Sequence, residues 1–218
     1  MNCLLAAATT KEITPFIKHI RESKKLFHID LNIDILITGI GLTATTYHLT
    51  KQFGIKRPDL VIQAGVAGSF DKKITPGNVV VIKQDTIADE SVVELKKLKT
   101  LFDLKLVPQN KTPYTNGWLI NPDKILLKRT KLQPVKGISV NQITTSPKMI
   151  GFYKDHFSPV TESMEGAALH YTCLLEKIPF LQIRSISNFI GERNKKNWNL
   201  KDAITNLNFE LIRLLESL

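Results

Sequence analysis

Cysteine is almost missing from this 218-residue chain, and the shortage sets aside two kinds of protein. The two that occur, Cys3 and Cys173, sit inside apolar runs with no second ligand at metal spacing. Neither a zinc site nor a disulfide framework is expected, and both read as reduced core residues. No segment reaches about 18 uninterrupted apolar residues, so no membrane span is expected. The N-terminus passes from Met1 straight into an apolar strand-like run, without a basic region or a small-residue cleavage site. No secretory leader is expected, and the cytoplasm is the expected address.

Acidic residues are in deficit: 20 Asp and Glu stand against 30 Lys and Arg, a formal charge of +10. Such a surplus attracts phosphates over long range and raises nucleic acid or an anionic surface as partners. The basic pairs are short and scattered, however, at Lys24-Lys25, Lys72-Lys73, Lys96-Lys97 and Lys195-Lys196. They lack the aromatic interleaving of a single-strand binder. A solvated lysine-rich surface accounts for them; neither nucleic acid nor membrane is an expected partner, and an anionic small substrate stays open.

What is present is patterning. Short apolar runs at residues 3–8, 33–38 and 60–64 alternate with helical patterns at 12–23 and 43–53, the rhythm of an α/β domain. A β-branched strand at 78–82 follows the turn Pro76-Gly77. Residues 94–122 carry Pro108, Pro113 and the Asn116-Gly117 turn signal, and read as mixed loop and edge strand. Order returns with a strand at 136–140, a helix that Pro147 can begin, a helix from Gly166 to about Glu176, a strand at 180–187 and a closing amphipathic helix at 200–218. With no repeat or flexible linker, one domain over residues 1–218 is expected.

Four polar or glycine-bearing segments interrupt the strands at their C-terminal ends, where open α/β sheets bind ligands. Thr38-Gly39-Ile40-Gly41 leads into a helix but lacks the third glycine of a dinucleotide fingerprint. Gln63-Ala64-Gly65-Val66-Ala67-Gly68-Ser69-Phe70 reads as a tight loop whose backbone groups either bond a flat polar ligand or simply close a packed turn; without a Lys-Ser/Thr ending it is no P-loop. Glu162-Ser163-Met164-Glu165-Gly166 places two carboxylates before a helix, where they complement its dipole or accept hydrogen bonds from a ribose diol. Arg184-Ser185-Ile186-Ser187-Asn188 ends an apolar strand in an amide, which either makes a turn or meets the edge of a heterocycle.

Together these segments resemble the purine and uridine nucleoside phosphorylase and nucleosidase superfamily over nearly the whole chain. The match is carried by residues 162–168, by 184–188 and by the Gly65-Val-Ala-Gly68 motif. The resemblance implies one α/β domain with a central mixed, partly barrel-like sheet flanked by helices, assembled as a homodimer or larger homo-oligomer. Phosphorylases of this superfamily commonly hold phosphate with an arginine and a glycine-rich turn after the first strand. This chain has Ala7-Ala8-Thr9-Thr10-Lys11-Glu12 there, similar to the hydrolase version, so the resemblance implies an N-glycosyl hydrolase with Glu12 as general base.

It further implies that Met164 and Glu165 hold the ribose, that Ala67, Gly68 and Ser69 line the sugar and base, and that Asn188 faces the base. Gln142 and Ile143, within 141–144, fall in the region of base stacking. No cofactor or metal is implied. Nucleosidases of 6-aminopurines carry an aspartate where this chain has Asn188. An amide cannot protonate N7 but can donate to a purine O6, which favours a 6-oxopurine. The following Phe189-Ile-Gly-Glu-Arg-Asn194 and Trp198-Asn199-Leu200, with Ala203, resemble the futalosine hydrolase branch, which releases hypoxanthine from futalosine in menaquinone biosynthesis. Because futalosine carries a benzoate, Arg193 is a candidate cation for it, its other reading being a surface arginine. The competing expectations are a methylthioadenosine/S-adenosylhomocysteine nucleosidase, a phosphorylase, a non-catalytic nucleoside-binding protein and, on charge alone, a nucleic-acid binder.

Overall fold

The computed structural model describes residues 1–22 and 31–218. Ser23, where the first helical pattern ends, and the pair Lys24-Lys25 lie outside the described residues. Strand β1 (Asn2–Ala7) runs parallel between β2 (Asn32–Ile37) and β3 (Leu60–Ser69). Leu5 stands opposite Ile35 on one side and Ile62 on the other.

The long strand β3 is what closes the sheet. Along one edge its first half, residues 60–63, pairs with β1, while Gly68 and Ser69 pair antiparallel with β9 (Thr161–Ser163). Along the other edge lies β10 (Phe180–Phe189), parallel to it. From β10 the sheet continues to β4 (Val79–Asp85), β8 (Gln133–Ser139) and back to β9, so five strands form a ring with β1 and β2 as an open wing. The short β7 (Leu119–Ile120) adds to β4. This is a mixed, partly barrel-like sheet flanked by helices.

Both faces of β1 and β3 are covered, which is why these strands read as apolar runs rather than alternating ones. Leu5, Ile62 and Ile183 pack with Phe16 of α1 (Thr10–Glu22) and with Leu207 and Leu211 of α6 (Leu200–Leu215). Leu4 and Val61 face the opposite way, onto Leu49 and Phe53 of α2 (Leu42–Ile55) and Leu169 and Cys173 of α5 (Gly166–Glu176). Each fully buried side chain of this size contributes about 1.5–3 kcal/mol. Cys3 and Cys173 are free and buried, and burial pushes the Cys3 thiol up to about 12.

The structure corrects the reading of residues 63–70 as a tight loop. They continue β3 without a break as far as Ser69, and neither Gly65 nor Gly68 has a positive φ. The glycines provide room instead of a turn. A Cβ on Gly65 would stand 2.3 Å from Arg184 Nη1, and one on Gly68 would stand 2.3 Å from Ile190 Cδ1. The last strand likewise runs two residues beyond Ser187, so Asn188 lies inside β10. Within the indistinct middle, β5 (Ser91–Glu94) and β6 (Lys97–Thr100) form a separate hairpin; α3 (Lys124–Arg129) and β9 were not foreseen. Helix α4 (Pro147–Phe157) starts on its proline.

Candidate active site

Because β1, β2, β3 and β10 are mutually parallel, their C-terminal ends open on the same side, and a cavity of about 390 Å³ lies there. Its walls include Glu12, Val66, Ala67, Gly68, Met164 and Glu165 at one end. Ile143, Asn188, Arg193 and Trp198 line the rest.

Glu12 enters from the first turn of α1. Its Oε2 accepts from Thr9 N at 3.0 Å and Thr9 Oγ1 at 3.1 Å, so the carboxylate caps the start of the helix that carries it. Its Oε1 accepts from Val66 N at 3.1 Å, tying the carboxylate to β3. The backbone behind it is held from α6: Asn208 Nδ2 donates to the Glu12 carbonyl at 2.8 Å, and Asn208 Oδ1 accepts from Phe16 N at 3.0 Å. One buried amide thus bridges the carbonyl and N–H that a regular helix joins at i and i+4, next to Pro15, whose ring distorts such a turn.

Glu165 precedes α5. Its Oε1 accepts from Gly41 N at 3.2 Å, and its Oε2 lies 3.5 Å from Arg184 Nη1. Burial raises the Glu165 carboxyl above its ordinary value while Arg184 pulls it down. Arg184 is itself buried, donates to Gln63 Oε1 at 2.8 Å, and occupies the space that Gly65 leaves beside Glu12. The guanidinium therefore pairs with Glu165 and shares the gap at Gly65 with Glu12. Arg184 belongs to the 184–188 motif, and its signal in the sequence is an arginine directly after the apolar start of the strand, since buried charges are paired.

Asn188 is oriented by its neighbours. The Phe189 carbonyl only accepts, so the atom 2.9 Å from it is Nδ2, and Oδ1 receives the Ser187 hydroxyl at 2.7 Å. The second amide hydrogen remains for the cavity. At the outer end, Arg193 Cζ stands 5.6 Å from the centroid of the Trp198 ring, and Trp198 Nε1 donates to the Glu192 carbonyl at 3.0 Å. Leu200 and Ile204 add an apolar wall beside them.

Two expected residues fall outside the cavity. Ser69 is buried, with its hydroxyl donating to the Asp71 carbonyl at 2.8 Å. Gln142 is exposed and borders a neighbouring hollow with Asp89 and Tyr153. Among the described residues no group of three or more His, Cys, Asp or Glu is placed to hold a metal ion, and no helix is long and apolar enough to cross a membrane.

The family model of the Phosphorylase superfamily matches residues 5–216, and the chain belongs to that superfamily. Among curated relatives it is 29% identical over 175 residues to a 5'-methylthioadenosine/S-adenosylhomocysteine nucleosidase of Maridesulfovibrio salexigens, covering 74% of this chain and 70% of that one. It is 24% identical over 182 residues to a futalosine hydrolase of Thermus thermophilus, with 83% and 80% covered. A solved structure of futalosine hydrolase from Helicobacter pylori superposes with a TM-score of 0.82 at 21% identity, covering 100% of this chain and 98% of that chain. At that identity the likeness speaks for the fold.

Proposed function

We propose that this protein hydrolyses the N-glycosidic bond of a purine nucleoside, and that its substrate is futalosine. As the C1′–N9 bond stretches, the ribosyl group gains oxocarbenium character. Glu12 orients a water and takes its proton, so that hydroxide adds to C1′. Glu165 accepts hydrogen bonds from the sugar hydroxyls and fixes the ribose, the positional part of catalysis. The departing base carries away the bonding electron pair, and the developing charge is met by the Asn188 amide. No cofactor takes part.

The observation that carries the choice of base is the fixed Asn188 amide, which presents a donor and no acid to the cavity. That suits the O6 of a hypoxanthine leaving group better than the N7 of adenine. The Arg193 guanidinium held over the Trp198 ring supports the choice of tail: it lines the cavity as a cation that can pair with a benzoate. The test is chromatography of the products formed from futalosine, inosine and methylthioadenosine in phosphate-free buffer. Hypoxanthine from futalosine is expected. A second reading, methylthioadenosine/S-adenosylhomocysteine nucleosidase, is favoured by the relative at 29% identity. Adenine from methylthioadenosine would establish that reading in place of the first.

A further inference from the structure

Asp85, at the end of β4, is a fully buried carboxyl that the reaction as described does not use. Its Oδ1 accepts from Ser139 Oγ at 3.0 Å. The same Ser139 Oγ accepts from Ala167 N at 2.8 Å, one of the N–H groups that the first turn of α5 leaves without a partner inside the helix. Glu165 is the residue directly before that helix. Asp85 thus reaches the carboxylate read as holding the ribose through one hydroxyl and one turn of backbone. Gly166 makes the approach possible: a Cβ there would stand 2.3 Å from Asp85 Oδ2 and 2.0 Å from the Gln182 amide nitrogen.

The hydrogen bonds around Asp85 fix where a proton must be. Gln182 of β10 hydrogen-bonds both Asp85 and His170 of α5, and all three are buried. His170 Nδ1 lies 2.8 Å from the Leu119 carbonyl, which only accepts, so Nδ1 carries a hydrogen. In the neutral ring Nε2 is then an acceptor. With the amide nitrogen towards Asp85, Gln182 Oε1 and His170 Nε2 are acceptors without a donor, and Asp85 Oδ2 is unpartnered as well. Turning the amide over and placing a proton on Oδ2 satisfies all three at once: Oδ2–H donates to Oε1, and the amide NH₂ donates to His170 Nε2. The other source of a donor is a doubly protonated His170 with an ionised Asp85, which buries two more charges in the field of Arg184. Burial opposes it at both ends, pushing Asp85 up to about 7 and His170 down to about 4.

We propose that Asp85 is a protonated positioning residue: its neutral carboxyl joins the Gln182–His170 pair and, through Ser139, sets the first turn of α5 and with it Glu165. The charged or titratable groups facing it are Arg184 of β10 and His170 of α5. Strands β8 and β9 present the neutral Ser139 and Thr161; a Cβ on Gly137 would stand 3.1 Å from Asp85 Oδ2 and 3.2 Å from Thr161 Oγ1. The inference rests on Glu165 holding the ribose and names what holds Glu165.

Asp85→Asn, Asp85→Ala and Ser139→Ala test both parts. Asn keeps an acceptor for Ser139 and gives Gln182 an NH₂ donor, so it copies the neutral acid and not the carboxylate; Ala keeps neither. With kcat measured on futalosine and inosine at about pH 6, well below each Tm, D85N should stay within about 3-fold of wild type. D85A and S139A should lose about 10- to 100-fold, up to the cost of a misplacement of about 1 Å. Thermal unfolding reads the proton without reference to activity. Between the ordinary 3.8 and about 7 the folded protein keeps a proton on Asp85 that the unfolded chain releases, so wild-type stability falls as pH rises through that window and is level above it. The Tm of D85N relative to wild type should therefore climb from about pH 4 to 7 and then hold. A relative Tm that falls with pH, or a D85N as slow as D85A, means an ionised Asp85 and overturns the proton assignment. Wild-type kcat in S139A overturns the positioning role, even if D85A does not fold. If wild type cleaves neither nucleoside, the functional reading fails and the positioning role with it, and the Tm comparison alone decides the proton on Asp85.

Discussion

At the sugar end of the cavity Glu12, Glu165 and Arg184 are buried and tied to α1, α2 and β3, whereas at the outer end Arg193 is exposed and rests against the Trp198 ring. In the proposed reaction the difference follows from what each end would have to do. A general base and a ribose-holding carboxylate act through geometry, and a misplacement of about 1 Å costs on the order of 100-fold in rate. Their positions are therefore set by backbone N–H groups of Thr9, Val66 and Gly41. A residue that meets a substrate's tail needs only to be within reach, and a solvated side chain on the segment after β10 is enough. The comparison predicts that substitutions at the sugar end impair every nucleoside alike, and those at the outer end impair only substrates with the tail.

The largest effect is expected from Glu12→Gln. A glutamine at that position still accepts from Thr9 N through its one oxygen, so α1 keeps its start, while its NH₂ replaces the acceptor for Val66 N and cannot take a proton from water. Turnover should fall by about 10² to 10⁴, the usual contribution of a general base. Equilibrium binding of the nucleoside should stay within a few fold. Single-turnover rates on futalosine and inosine should drop together; a rate close to wild type on either removes Glu12 from the mechanism and breaks the comparison at its stronger end.

The sequence disclosed these two ends unequally. Glu165, Met164 and Asn188 belong to polar segments near strand ends, where an α/β sheet binds its ligands, Glu12 is implied by the family resemblance alone, and the structure brings all four to one cavity. The interior of the strands hid more. A glycine pair usually marks a turn, but the reason for Gly65 and Gly68 is the space filled by Arg184 of β10 and by Ile190 just after that strand, both more than a hundred residues further on. Strand β9 is three residues long and closes the ring by pairing with β3 and β8, a contact that no local period of hydrophobicity announces. Asn208 lies on the buried face of α6 and looks like a flaw in an apolar stripe until its two bonds to α1 are seen.

Asn208→Ala tests whether that support matters to the chemistry. The substitution removes the donor to the Glu12 carbonyl and the acceptor for Phe16 N within a buried setting. Loss of such buried bonds costs about 1–3 kcal/mol. For a chain of this size that lowers Tm by roughly 2–12 °C. Since the same bonds fix the turn that carries Glu12, kcat should fall several fold on futalosine and inosine equally, with KM little changed. Thermal unfolding together with steady-state kinetics checks both. A drop in Tm with kcat intact would make Asn208 a packing residue and confine the rigid end of the comparison to the side chains themselves.

The smallest expected effect belongs to Arg193→Ala. Arg193 is solvated and touches the Trp198 face, so its loss should leave Tm unchanged and the reacting carboxylates undisturbed. If its guanidinium meets the benzoate, KM for futalosine should rise about 3- to 10-fold, the scale of a partly solvent-screened ion pair worth up to roughly 1.4 kcal/mol. Inosine, which has no such tail, should keep its KM. Added salt should narrow the gap between wild type and variant, because exposed charge pairs are screened over about 8 Å at physiological ionic strength. Equal increases in KM for both nucleosides would place Arg193 in the support of the 188–193 segment. The selectivity for the tail would then have to come from the apolar wall of Trp198, Leu200 and Ile204 alone.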